Sequence, residues 1–141
     1  MNIEIKDLIG GKISREGLEK EAILRRDQKS LLNKEPKSMT KEEWIERLRD
    51  WREGDWQEAR RVETRGYGSG FYAGIVLMID RLLHYLIDRN ESRHYLEELV
   101  DKWLEEEIES SRKEGDSSSW HFGRSVALCH IQHELKGVMD F

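Results

Sequence analysis

The sequence predicts an all-α fold, a compact helical bundle of four to five helices with an N-terminal arm. Three observations predict it. Apolar residues between Phe71 and Val138 recur at helical rather than alternating spacing. Thr40-Lys-Glu-Glu43 has the capping-box form, in which a hydroxyl and a third-position carboxylate satisfy orphan amides reciprocally. The glycine-rich stretch RGYGSG and the polar stretch EGDSSS separate the apolar segments and place the corners. Residues 1–38 are expected to form an arm or helix packed on the bundle, and residues 39–141 the bundle domain.

In chain order, Ile3 and Ile5 alternate with polar residues like a short strand, and Gly10-Gly11 then interrupts. From Ser14 a helix is expected, with Leu18, Ala22, Ile23 and Leu31 as a modest apolar stripe, ending before Pro36. After the capping box, Trp44, Leu48 and Trp51 follow at helical spacing. Gly54 followed by Asp55 predicts a break and a new cap, with Trp56, Ala59 and Val62 continuing. The most apolar element is expected from about Phe71 to Arg89, and its wide apolar arc predicts a central helix. Asn90 or Ser92 begins the next, with Tyr95, Leu96, Leu99, Val100, Trp103 and Leu104 inward. The last runs from about Trp120 to Val138. It carries Trp120, Ala127, Ile131, Leu135 and Val138 on one face and a second apolar patch, Phe122, Val126 and Cys129, on the other.

FYAGIVLMIDRLL and HFGRSVALCHIQHEL are loosely alike, both opening with aromatics and an early glycine. Gly74, Gly123 and Ala127 are small enough for two such helices to approach closely.

Composition excludes several classes. Of 141 residues, 38% are charged and 37% hydrophobic, and the single cysteine forms neither an internal disulfide nor a Cys-based zinc cluster. The longest uninterrupted apolar run, Phe71 to Ile79, is expected to be too short for a bilayer. The opening MNIEIKD lacks the layout of a secretory leader, so a cytoplasmic protein is expected. Net charge is −5. Residues 1–66 carry 16 Lys/Arg against 15 Asp/Glu, whereas residues 67–141 carry 8 against 14. With no basic face, duplex nucleic acid is not expected as a partner, nor is a membrane.

Four groups of residues are candidates for function. Gly66, Gly68, Ser69 and Gly70 precede an expected helix N-terminus, with Arg60, Arg61 and Arg65 beside them. Free amides and guanidinium forks of this kind hold phosphate, so a phosphate or nucleotide ligand is one alternative. The alternative reading of these glycines is a tight corner. His130 and His133 lie one turn apart, and His84 is the candidate third ligand of a divalent metal in a helical hydrolase. The alternative there is ordinary polar-face histidines, and no cofactor is the first expectation.

The third group is acidic. Glu42-Glu43-x-x-Glu46 and Glu98-x-x-Asp101 resemble the ExxE and ExxD pieces of all-helical, magnesium-dependent nucleotide pyrophosphohydrolases of the MazG type. That resemblance implies carboxylates on facing helices around magnesium. About fifty residues and an extra helix separate the pieces, which departs from the family pattern, so no family is assigned.

The fourth group is an interface. Arg and Trp interleave from Arg47 to Arg65, residue types enriched at binding hot spots, and Trp56 falls off the core stripe of Trp44 and Trp51. Phe122, Val126 and Cys129 form either an interface or a seat for the arm, Cys129 also reading as a small buried hydrophobe. The preferred reading is a small intracellular protein-binding regulator or inhibitor, of a size and charge density that suit a phage or mobile element. It is expected to bind a protein partner and to self-associate as a homo-oligomer. Catalysis is not the leading expectation.

Overall fold

The computed structural model describes Arg26 and residues 34–60, 68–114 and 118–141. The expected strand and helix of the arm lie outside the described residues, Arg26 excepted. The described chain is all-α, with four helices and no strand. Helix α1 is Lys41–Arg60, α2 is Gly68–Leu83 with a π-turn His84–Asp88, α3 is Arg93–Glu114 and α4 is Ser118–Leu135.

The capping box forms as expected. Glu43 N–H donates to Thr40 Oγ1 at 3.1 Å and Thr40 N–H donates to Glu43 Oε1 at 3.1 Å. Such a cap stabilises a helix by about 1 kcal/mol. These bonds from Thr40, backbone first and hydroxyl second, hold the Glu43 carboxyl below its ordinary pKa. Ser92 opens α3 in the same way, accepting from Tyr95 N–H through its hydroxyl and from Leu96 N–H through its carbonyl.

The expected break at Gly54 is absent, since α1 runs through it. Gly54 is exposed and nothing lies within 4 Å of where its Cβ would stand. A glycine there costs the helix about 1 kcal/mol, too little to break an element anchored by the buried Trp44 and Leu48.

Helices α2 and α4 cross at the centre, with α1 packed on α2 and α3 on α4. The crossing is tight because both helices carry glycine at it. A Cβ on Gly74 would overlap the carbonyl oxygen of Trp120, and one on Gly123 would overlap that of Phe71. Ile79, Leu82, Leu86, Leu128, Ile131 and Leu135 fill the centre at 0–1% exposure. Of the residues expected inward on α3, Leu96, Val100, Trp103 and Leu104 are buried. Tyr95 is 38% exposed and Ile108 takes a core place further along.

Gly70–Asp88, 19 residues at mean hydropathy 1.4, is long and apolar enough to cross a membrane by length and composition. The nine-residue run therefore understated it, because Asp80 and Arg81 interrupt the apolar sequence without removing its average. In this fold the segment is the central helix.

After α4 the chain turns at Gly137 and closes the bundle. Met39 N–H donates to the Gly137 carbonyl at 3.1 Å and Met139 N–H to the Met39 carbonyl at 2.8 Å. Arg93 N–H, at the start of α3, donates to the Phe141 carbonyl at 3.2 Å.

Candidate functional site

A cleft of about 660 Å³ opens between α1 and α4, with Ile75 of α2 and Met39 on its apolar side. Ligand pockets have roughly 300–1,000 Å³. Glu43, Arg47, Asp50 and Trp51 reach it from one face of α1, because they are spaced three or four residues apart. Val126, His130 and Glu134 reach it from α4 for the same reason.

At its inner side Glu134, 8% exposed, accepts from Trp44 Nε1 at 3.2 Å and from Arg47 Nε. Both carboxylate oxygens are thereby engaged, as a buried charge requires. The Trp51 indole meets the His130 ring edge-on, centroids 6.1 Å apart. Lys37 and Asp50 stand at the lining as well.

Burial pushes the Asp55 carboxyl above its ordinary pKa, the Trp51 bond opposing and Glu58 adding to the rise. A carboxyl raised in the folded state stabilises fully below its unfolded pKa, and that stabilisation is lost as pH rises through the folded value. Asp55→Asn is therefore expected to flatten this part of the stability profile. It should raise the urea midpoint at pH 7 relative to wild type more than at pH 3, since the amide has no charge to desolvate at either pH. Urea unfolding at both pH values checks this.

A second concavity, about 510 Å³, lies between α1 and α2 on the opposite side of α1. Trp56, Ala73, Val76 and Leu77 make it apolar, and the Arg52–Asp80 ion pair at 2.8 Å lies at its rim. Trp56 is 45% and Leu77 51% exposed.

A buried ionic cluster joins α3 to α4. Glu107 pairs with Arg124 at 2.7 Å and with His121 Nδ1 at 2.8 Å, and the Arg124 guanidinium lies over the Trp120 ring at 4.4 Å. Burial lowers the Arg124 pKa, Glu107 raises it and nearby Arg81 lowers it further.

Of the expected phosphate site, Arg61, Arg65 and Gly66 lie outside the described residues. Gly68, Ser69 and Gly70 belong to the first turn of α2, not to a loop before it, and Arg60 is exposed at the end of α1. The expected metal ligands are not gathered: among the described residues no three His, Cys, Asp or Glu side chains form a metal-binding group. His84 instead pairs with Asp88 at 3.0 Å on the π-turn, while His130 faces Trp51. His133 is partly buried near the end of α4.

The acidic pieces do not face one another either. α1 and α3 flank the α2–α4 pair, Glu43 caps its own helix, and Asp101 accepts from Gln132 Nε2 at 2.6 Å. Phe122 and Cys129 are 4% and 3% exposed, Phe122 against Phe71, so the second patch of α4 is core rather than open interface. Val126 lines the cleft, and Trp56 is exposed as expected. Asp50 and Glu107 are not singled out by the sequence, whereas Glu134, one turn after His130, is expected on the face of that histidine and lines the cleft with it. Helical spacing places Glu43, Arg47 and Asp50 on one face, but only the packing of α1 and α4 on the same helix, α2, makes that face one wall of a cleft.

Fold and geometry define the class: among the described residues, an all-α arrangement of four helices in two hairpins, with a polar cleft and an apolar groove. No family model matches the chain, and no curated protein or solved structure matches it.

Proposed function

We propose that the chain is a small protein-binding regulator or inhibitor that acts through protein contacts and self-associates through the α1–α2 groove. The observation that carries the reading is the pairing of Trp56 and Leu77, both about half exposed, in one apolar concavity. Large aromatic anchors in such a setting are typical of interface hot spots. The occupant is a second copy of the chain. The groove is apolar at its centre and carries both signs at its rim, Arg52 with Glu53 and Asp80. A patch of that kind is self-complementary across a twofold axis, where the cation of one copy meets the acids of the other. A cytoplasmic setting belongs to the same proposal and suits the buried Cys129, which is in no disulfide.

Light scattering after size exclusion tests this. The wild type is expected to be a dimer at micromolar concentration, and Trp56→Asp or Leu77→Asp a folded monomer. Both side chains are exposed, so helical circular dichroism should be unchanged. A monomeric wild type at all concentrations overturns self-association through the groove.

A further inference from the structure

The two hairpins repeat one plan. Thr40 caps α1 and Ser92 caps α3, and Trp51 and Trp103 each stand eleven residues after their caps. Gly74 and Gly123 contact each other's helices reciprocally, and Arg81 and His130 each stand seven residues after their glycine. The equivalent positions make equivalent contacts, Arg81 on Trp103 and His130 on Trp51.

The two halves differ in what covers the indole. Trp103 is 2% exposed, and the Arg81 guanidinium lies 4.2 Å from its ring centroid. Trp51 is only partly buried, meets the shorter imidazole edge-on, and borders the 660 Å³ cleft. Charge differs in the same sense. The position before the indole is Lys102 in the second hairpin and Asp50 in the first. Among the described residues the Asp50 carboxylate has no hydrogen-bond or ion-pair partner. The carboxylates of Glu43, Asp50 and Glu134 outnumber the cations of Lys37 and Arg47, and the Arg47 Nε is already held by Glu134.

We propose that the cleft receives the guanidinium of an arginine side chain carried by a partner protein, face to face with Trp51 and forked onto Asp50. At Trp103 the chain supplies its own guanidinium, Arg81 reaching over from α2, and at Trp51 it takes one from outside. Stacking on an indole and a forked bond to a carboxylate are the two interactions that favour arginine over lysine. The inference rests on the protein-binding reading and names the partner's chemistry. It uses the face of α1 opposite the groove, so its failure and the failure of self-association through the groove are distinguishable.

The test is titration of the full chain with acetyl-Gly-Arg-Gly-amide, followed by the NMR shifts of the Trp51 indole N–H and the His130 ring. Saturable shifts are expected with arginine, and binding about tenfold weaker or worse with citrulline, its neutral isostere. Asp50→Asn should weaken the arginine peptide to a similar degree. His130→Arg should supply the guanidinium within the chain, abolishing peptide binding while the fold is kept. Trp56→Asp should leave peptide binding intact. No saturable shift, equal binding of citrulline, or undiminished binding by His130→Arg overturns the inference, whatever the oligomeric state.

Discussion

Gly123→Ala is expected to destabilise the chain by about 3 kcal/mol or more, although it adds one methyl group. The Phe71 carbonyl oxygen occupies the place that the new Cβ needs, with the Phe71 carbonyl carbon 2.9 Å and Cα 3.1 Å from it. Those are backbone atoms of α2, so no rotamer change relieves the overlap. The helices must separate, and the 0–1% exposed core between them loses contacts along its length. Gly74→Ala meets the Trp120 carbonyl oxygen in the same way. Gly54→Ala is the internal control, because nothing stands near its Cβ. There alanine's helix preference should add up to about 1 kcal/mol. Urea midpoints at unchanged m-value measure all three, and a wild-type midpoint for Gly123→Ala would sink the close-crossing account.

The second large effect is expected at Glu107. Glu107→Ala removes the carboxylate bonded to Arg124, whose side chain is 16% exposed, and takes the same carboxylate from His121. Leaving a buried charge without its partner costs about 3–5 kcal/mol. Among the described residues the Arg124 Nε already lacks a hydrogen-bond partner, so the loss adds to a donor set that is incompletely satisfied. Glu107→Leu combined with Arg124→Met should recover most of the loss, because buried ion pairs replaced by apolar groups of similar volume are often neutral. If the double variant were no more stable than Glu107→Ala, the cluster would be holding the fold through its shape rather than its charge balance.

These two sites show different degrees of legibility. Gly74 and Gly123 are visible in the sequence as glycines opening two apolar helices, which is sufficient to expect a close approach. Glu107 sits in the acidic run from Glu97 to Glu109 and looks like its neighbours there. What separates it is that Arg124 and His121 come against it when α4 folds back on α3, and no local pattern records that. The same holds for the α4 patch. Phe122 and Cys129 lie on the far side of the helix from Ala127 and Ile131, and the sequence reads that apolar side as an interface or a seat for the arm. A central helix is enclosed on several sides, so its second face becomes core.

The sequence by itself determined what depends on neighbours within a turn or two: the capping box at Thr40, a helix start at Asn90 or Ser92, the all-α periodicity and the identity of the central helices. Helical geometry fixes those contacts before any tertiary packing exists. Only the tertiary structure decided that Gly54 is spanned rather than broken, that His84, His130 and His133 stay apart, and that Asp50, Trp51, His130 and Glu134 share one cleft. Each of these depends on how two helices distant in sequence are set against each other. That arrangement is fixed by close packing around the Gly74–Gly123 crossing rather than by any local preference.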